Sequence, residues 1–398
     1  MADIEFAPWA PVMARPLKAV ANTIYNMIHH SLNILLSISS FSQTSPYTSH
    51  AEAALSPLNQ WYNQTSGIWD TTGWWNSANC LTTISNLAIT DPNVLPVASQ
   101  IIPNTFVQAQ KYNFHLTKRI SPSGLVQSYE RPSTAPEKLN GFLNAFYDDE
   151  GWWALAWIAA YDLTHDLQYL QAAESIFEDM AAGWTAACGG IWWDKNHTYI
   201  AAISNELFLS VAAHLANRSA NKVHYLSWAQ LEWAWFQNTG MINSQGNIND
   251  GVDIITCKNN IGTVWSYNQG VILSGLVELN RAAPNSSLLL VAQRIAAAAI
   301  VTLTDENNVL HDPCEPNCGA DGSQFKGVFM RNLQILQQVS PNPLFSATIK
   351  ANADSIWAND RDLSNELSVV WSGPFIMPAN ASTQSSALDA LVAAAALL

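Results

Sequence analysis

Charged side chains are scarce in this 398-residue chain: Asp, Glu, Lys and Arg together make up 12% of it, about half the roughly 25% of an ordinary soluble domain. Positive charge is the scarcer sign, with 17 Lys+Arg against 31 Asp+Glu and a formal net charge of −14. That balance argues against nucleic acid or an anionic membrane as partner, since both need clustered Lys and Arg. Cysteine is also sparse. Cys80, Cys188, Cys257, Cys314 and Cys318 form no CxxC pair followed by a second, so no structural zinc site is expected. The nine histidines show no HxH or HExxH spacing, and no metal or other cofactor is expected. A GxSxG elbow and a glycine-rich phosphate loop are both missing. No clean run of about 18 apolar residues occurs, so no transmembrane segment is expected. Alternating period-two patterns are nearly absent, which speaks against a β fold.

What is abundant is apolar mass: 48% hydrophobic residues, enough to bury a large core and to exclude disorder. Tryptophan stands out, with 17 Trp against 13 Phe and 11 Tyr. Large flat amphipathic rings serve cores, and they also stack on the apolar faces of sugars. Apolar residues recur at three and four over 51–62, 75–88, 97–110, 151–163, 167–181, 205–215, 224–236, 267–280, 286–301, 325–336, 344–357 and 386–397, a spacing that predicts about twelve helices. Stretches rich in Gly, Asn, Asp and Trp separate them, clearest at 188–199, 240–264 and 307–324. No Pro/Ser-rich linker divides the chain. The expectation is therefore all-α and single-domain: six helical hairpins closed into a ring over residues 51–398, with an open solenoid as the alternative of the same rhythm.

Residues 1–50 stand apart as an N-terminal extension. The apolar run Leu32–Ser40 reads as signal-like on imperfect flanks, with an upstream start or disorder as alternatives. Asn63, Asn196, Asn217, Asn285 and Asn380 each begin an N-x-[ST] sequon, which points to a secreted, N-glycosylated chain. In Cys314-Glu-Pro-Asn-Cys318 the Pro and Asn favour a tight turn that a disulfide could close; the alternative is two unpaired thiols in a surface loop. The apolar tail 387–398 holds Asp389 and reads as a final amphipathic helix, or more weakly as a lipid-anchor signal.

The chemistry concentrates in Asn144-Ala-Phe-Tyr-Asp-Asp-Glu-Gly-Trp-Trp-Ala-Leu-Ala-Trp157. Asp148 and Asp149 stand side by side at the start of an apolar helix. One Asp suffices to accept orphan N–H bonds and complement the helix dipole. A second, with Glu150 beside it, adds like-charge repulsion among four aromatics. A pair of carboxylates about 5–5.5 Å apart is the equipment of a retaining glycosidase, one ionised as nucleophile and one protonated as acid.

The segment from Tyr147 to Trp157 resembles the aspartate-pair motif of glycoside hydrolase family 76, the endo-α-1,6-mannanases and their fungal cell-wall relatives. Further segments resemble that family in order: Gly73–Asn79, Cys188–Asp194, Asn205–Phe208, Asn249–Asp253, Trp265–Gly270 and Asp321–Gly327 with Arg331. The resemblance covers about residues 51–375. It implies an (α/α)6 barrel and retaining attack on internal α-1,6-mannosidic bonds of mannan, with Asp148 as nucleophile and Asp149 as acid/base. It further implies carbohydrate contacts at Trp75, Asn76, Tyr147, Trp192, Trp193, Asn205, Glu206, Asp250, Tyr267, Asn268, Gln269, Asp321, Phe325, Lys326 and Arg331.

Each contact has a plainer reading. The tryptophan pairs can be packing residues, one of each pair pointing inward; Asn205 and Glu206 can orient a helix. Asp250 can be a turn residue, and Lys326 and Arg331 can clasp nearby carboxylates. The expected partner is mannan or another mannose-containing glycan, met by a monomer that is secreted or associated with a fungal-type cell wall. Alternatives are a transglycosidase joining mannoprotein glycans to wall glucan, another polysaccharide enzyme on the same ring, and a non-catalytic mannan-binding protein.

Overall fold

Six helices bury most of their residues and six bury one face, and this division sets the architecture. The chain is described from a computed structural model that covers residues 45–113, 117–120, 126–130 and 141–397. Most of the expected N-terminal extension therefore lies outside the described residues. Twelve long helices occur among them. The outer six are α1 (Pro46–Gln60), α3 (Leu95–Gln108), α5 (Leu167–Ala182), α7 (Lys222–Thr239), α9 (Ser286–Leu303) and α11 (Pro343–Asn359). The inner six are α2 (Trp74–Thr90), α4 (Tyr147–Thr164), α6 (Ala202–Arg218), α8 (Ser266–Ala282), α10 (Phe325–Val339) and α12 (Ala381–Ala395). Each inner helix packs on the next, and α12 returns to α2, so the ring is closed. The (α/α)6 barrel expected from the helical rhythm is thus the fold, and the open solenoid is not.

Helix boundaries follow local chemistry. Asp166, Asn285, Asn342 and Asn380 cap α5, α9, α11 and α12 through side-chain oxygens, the job these residues do best. Most inner helices lack such caps at the rim where their polar first turns gather. The last helix begins at Ala381, five residues before the periodicity shows, and all of its residues are buried. It is a core helix rather than the amphipathic one expected, because an inner wall is covered on every side. Conversely α9 has the length and mean hydropathy to cross a membrane, yet it lays Leu288, Ala292, Ile295, Ala299 and Leu303 inward against α8. An outer barrel helix uses an apolar face in just this manner.

Polar contacts lock the ring where it closes. Asp389 on α12 accepts from Arg331 on α10 at 2.9 Å and from Thr83 on α2 at 2.8 Å, and Arg331 donates onward to Asn79. At the far ends of α4, α6 and α8, Arg218 holds Asp162 with two nitrogens and Glu278 with a third. The Asn217 amide donates to the same Glu278 carboxylate at 2.7 Å. Asn217 is committed to this network, so its sequon is not an accessible acceptor; Asn196, exposed on a turn, is.

Among the described residues seven short strands of two to five residues also form, in three antiparallel groups: β1 (Tyr62–Asn63) with β2 (Ile68–Trp69), β3 (Thr117–Ile120) with β4 (Val126–Glu130), and β5 (Ile200–Ala201), β6 (Gly251–Asp253) and β7 (Lys258–Asn259) in one sheet. They are too brief for an alternation to show in sequence. The Cys314–Cys318 disulfide forms as the alternative with a bridge supposed, and a second one, Cys188–Cys257, joins two loops at the rim.

Gly327 shows how tightly the inner helices meet. A Cβ there would lie 2.5 Å from the Ser386 backbone of α12. Gly327→Ala is expected to lower stability by about 1–3 kcal/mol through overpacking, read as a fall in the urea midpoint; an unchanged midpoint would show that α10 and α12 part without cost.

Candidate active site

Alternating hairpins run all six inner helices in one direction, so their N-termini share one rim. The expected site residues collect there. Asp148, Asp149 and Glu150 fill the first turn of α4, which starts at Tyr147 rather than after the acidic run. The helix begins early because the preceding chain is held from outside. Tyr147 N donates to Trp193 O and Lys195 N to Ala145 O, both at 2.9 Å, and Phe146 pairs with Asp194 as an isolated bridge. The central Gly-Gly-Ile-Trp-Trp-Asp block is thereby sewn to the acidic turn.

The three carboxylates have different surroundings. Asp148 is half-buried and accepts from the Trp193 indole N–H at 2.9 Å. Asp149 is buried and accepts from the Asn144 amide at 2.7 Å. Glu150 is fully buried, and its Oε1 accepts from Lys195 Nζ at 2.7 Å and from Asn144 N at 2.9 Å. Burial pushes the Glu150 carboxyl up, with the Lys195 ammonium pulling the other way. Lys195 also meets Asp179 at 2.6 Å, and against the cost of its own burial these two carboxylates raise its value and keep it charged.

Across the rim, Asp250 closes the first turn of α6: its carbonyl accepts from Ala202 N, and Tyr199 donates to its Oδ2 at 2.8 Å. Burial raises the Asp250 carboxyl, opposed by that hydroxyl and by the Asn268 side chain. Trp75 donates to Asp321 at 2.7 Å and stacks on Trp152 at 5.4 Å between ring centroids. Tyr267 stacks on Phe325 at 3.7 Å, with ring planes 11° apart. Burial raises the Tyr267 hydroxyl, and the fields of Asp250, Asp148, Asp321 and Glu206 add to it. That one phenol therefore senses carboxylates from four elements.

Two fully buried polar side chains at this level are left without hydrogen-bond partners: both amide atoms of Asn76 on α2 and both oxygens of Glu206 on α6. Burial raises Glu206 well above the usual carboxylate range, with Asp250 and then Glu232 adding to it. Buried groups in this condition are rare and call for a ligand or ordered water.

Other expected contacts are spent on the fold. Asn205 binds Ile191 N and O and Ala201 O, and pins Gly190 at positive φ, where a Cβ would strike its own Oδ1 at 2.5 Å. Gln269 is consumed by Ile248 N, Ile248 O and Trp265 O. Lys326 is paired with Glu315 at 2.6 Å, donates to Val369 O and lies over Trp371. Arg331 is the ring lock, so the clasp reading holds for both cations. Tyr147 lies beneath Lys195 and against Gly183, and Trp192 stacks on His197, turned from the side of the strand that carries Trp193 to Asp148. Among the described residues no group of three or more His, Cys, Asp or Glu is placed to hold a metal ion.

Sequence reasoning did not find Asn144, Lys195, Tyr199, Asn260 or Asp312. Lys195, Tyr199, Asn260 and Asp312 act through contacts distant in sequence, Asn260 by donating to the Tyr199 hydroxyl, whereas Asn144 acts on Asp149 and Glu150 from a loop that no periodic spacing announces. Asp312, from the loop after α9, accepts from Ser266 N at 2.9 Å and Ser266 Oγ at 2.6 Å and so caps α8 from a distance. Burial pushes its carboxyl up to about 6 against the pull of those donors.

Comparison with known proteins places these features. Residues 46–397 match the sequence model of Glycosyl hydrolase family 76. The chain is 26% identical over 212 residues to the mannan endo-1,6-alpha-mannosidase DFG5 of Candida albicans, a match covering 49% of this chain and 47% of that protein. It thus spans about half the length of the curated relatives it matches. An inactive variant of the alpha-1,6-mannanase GH76A of Salegentibacter sp. HEL1_6, with two consecutive aspartates changed to asparagine and alpha-1,6-mannotriose bound, superimposes with a TM-score of 0.72 at 20% identity, covering 88% of this chain and 100% of that one. Dfg5 from Chaetomium thermophilum in complex with glucosamine gives 0.73 at 17% identity, covering 90% and 93%. At these identities the likeness to solved structures is one of fold.

The Asp312 cap has a pH signature. A carboxyl near 6 when folded and about 3.9 when unfolded binds more protons in the folded state between those values. Stability therefore falls as pH rises through that window and levels off above it. In Asp312→Asn this share of the decline disappears, and the difference in urea midpoint between about pH 4.5 and about pH 7 is expected to shrink. A difference equal to that of the unsubstituted protein would mean the carboxyl does not titrate in the window.

Proposed function

The chain belongs to glycosyl hydrolase family 76, and we propose that it is a retaining, endo-acting glycosidase of α-1,6-mannosidic bonds in mannan. The observation that carries the reading is the adjacent pair Asp148 and Asp149, each held by a separate donor at the rim. A neutral polyhydroxylated ligand suits this place. Trp75, Tyr267 and Phe325 bring aromatic rings to this level, and the unpartnered Asn76 and Glu206 offer donors and acceptors that sugar hydroxyls complement. Asp250 and Asp321 add two acceptors at the same rim. The inactive mannanase variant with paired aspartate substitutions and bound α-1,6-mannotriose supports assigning both the chemistry and the substrate class in this way.

In this mechanism the ionised Asp148 carboxylate bonds to the anomeric carbon as the glycosidic C–O bond breaks. Asp149 gives its proton to the departing oxygen. Water then attacks the glycosyl–Asp148 ester, Asp149 takes the proton, and the mannan fragment leaves with a hydroxyl at its new end. When a second sugar's hydroxyl takes the place of water, the same intermediate yields transfer to that acceptor. The Trp193 indole keeps Asp148 aimed. Two disulfides, in a chain related to the fungal mannosidases named above, support an oxidising location outside the cell or at the wall.

Asp148→Asn and Asp149→Asn are each expected to lower kcat/KM on linear α-1,6-mannan by about 100-fold or more. Asp149→Asn should retain most activity on aryl mannosides with good leaving groups, where acid assistance matters least. Wild-type turnover in both variants would refute the pair. Mass spectrometry of products from a glycan panel that includes acceptor sugars reads hydrolysis, transfer and simple binding as separate outcomes.

A further inference from the structure

Two carboxylates that must do different work start from the same residue type on one helical turn, so something outside the turn has to distinguish them. For Asp149 the structure supplies Asn144, which no motif singled out. The orientation of its amide is fixed. Asn144 Oδ1 accepts from Phe146 N at 2.8 Å, so the opposite atom, the NH2 group, is the one that faces Asp149 Oδ2 at 2.7 Å. An NH2 group has donors and no acceptor. A carboxyl proton on Oδ2 would point at another donor, so Oδ2 is held as an acceptor in both protonation states.

Asn144 is itself fixed from behind. Its backbone N–H donates to Glu150 Oε1 at 2.9 Å, and the same oxygen receives Lys195 Nζ at 2.7 Å. Lys195 reaches across to Asp179 on α5 and, through its own N–H, to Ala145 O. Glu150 is fully buried and Lys195 keeps a third of its side-chain surface, so the ion pair works at low local dielectric and resists screening. Lys195, Glu150, Asn144 and Asp149 form one chain of contacts running from the outer helix layer to the acid/base.

Resting on the acid/base reading of Asp149 above, we propose that Asn144, anchored by the Glu150–Lys195 pair, is a positioning residue that confines the transferable proton to Asp149 Oδ1. In the first step that proton leaves Oδ1 for the departing sugar oxygen while the anomeric C–O bond breaks and Asp148 bonds to the anomeric carbon; the electron pair left on Asp149 spreads onto Oδ2 and is met by the Asn144 N–H. In the second step the proton of water returns to Oδ1. Trp193 has the corresponding contact on Asp148 and takes no part in proton transfer, which makes it an internal control.

The decisive variant is Asn144→Ser. A serine hydroxyl can still accept from the N–H two residues on, so the local turn is kept, and the donor to Asp149 is lost. On aryl α-1,6-mannobiosides carrying phenols of graded acidity, Asn144→Ser is expected to lower kcat/KM, which reads the first step, by about 10–100-fold for poor leaving groups. The loss in kcat/KM should shrink to within about 3-fold for a dinitrophenyl group. Trp193→Phe is expected to lose activity by the same factor across the series. Glu150→Gln, which removes the charge that holds Lys195, should show a weaker form of the Asn144→Ser pattern. Near-UV circular dichroism checks that the variants are folded, and Asn144→Ala replaces serine if that variant does not fold. A uniform loss across leaving groups in the Asn144 variant, or no loss, overturns the proposal. Asp149→Asn is measured beside it. A graded response there with a flat one at Asn144 refutes only the positioning role, whereas a flat response in Asp149→Asn removes the acid/base assignment and this inference with it.

Discussion

The rim of the barrel gathers carboxyl groups, and the constraint that makes this tolerable is the shared direction of the inner helices. Each helix N-terminus carries about half a positive charge on its unsatisfied N–H groups. Six of them open at one end of the ring. Asp148, Asp149 and Glu150 lie in one such first turn, Asp250 caps another through its carbonyl, and Glu206 lies little more than a turn below it. The barrel thus supplies from its backbone the field that Lys or Arg supplies elsewhere. Three cations are spent on fixed frames: Lys195 behind Glu150, Lys326 on Glu315, Arg331 on Asp389.

The opposite end of the ring obeys the same rule with the sign reversed. Inner-helix C-termini expose carbonyls, and there Arg218 sits in the last turn of α6, bridging Asp162 and Glu278. The two ends differ in function because the long loops emerge at one of them. The loops 183–201 and 240–265 at the N-terminal rim are tied by the Cys188–Cys257 disulfide and by the sheet of β5, β6 and β7. They carry Trp193 and Asp250 to opposite sides of the space above α6. A covalent tie between them limits how far those two walls can part, so the recognition surface is set before ligand arrives.

Helical periodicity made the twelve helices legible because an α-helix writes its buried face into residues three and four apart. It placed α5, α9 and α10 within a few residues of their observed starts. It missed the beginning of α12, where Ser382, Thr383, Gln384 and Ser385 are polar and nonetheless buried. Their side chains are satisfied by partners distant in sequence: Gln384 by Leu367 N and Ala54 O, Thr383 by Leu367 O. A polar residue whose partner lies 16 to 330 positions away looks like surface in any local window. The aspartate pair was legible for the converse reason, since two adjacent carboxylates among aromatics exceed what capping asks for. Asn144, Lys195 and Asp312 were not, because their importance lies in what they touch.

The surplus of tryptophan divides along the same line. In each adjacent pair one ring goes to the core and its neighbour to the site side, as the turn of about 100° between helical neighbours requires. Trp74 and Trp153 pack together with Phe142, while Trp75 and Trp152 stack beside Asp321 and Arg331. The pair at Trp192 and Trp193 splits by the two-residue alternation of extended chain instead, one ring on His197 and the other reaching Asp148. The wall of the cleft and the wall of the core are therefore the same backbone, one residue apart. Any repacking of Trp74 or Trp153 displaces the ring next to it, so positions remote from ligand inherit constraints from the cleft. That coupling explains why a chain so poor in charge carries so many of its largest side chains in adjacent pairs.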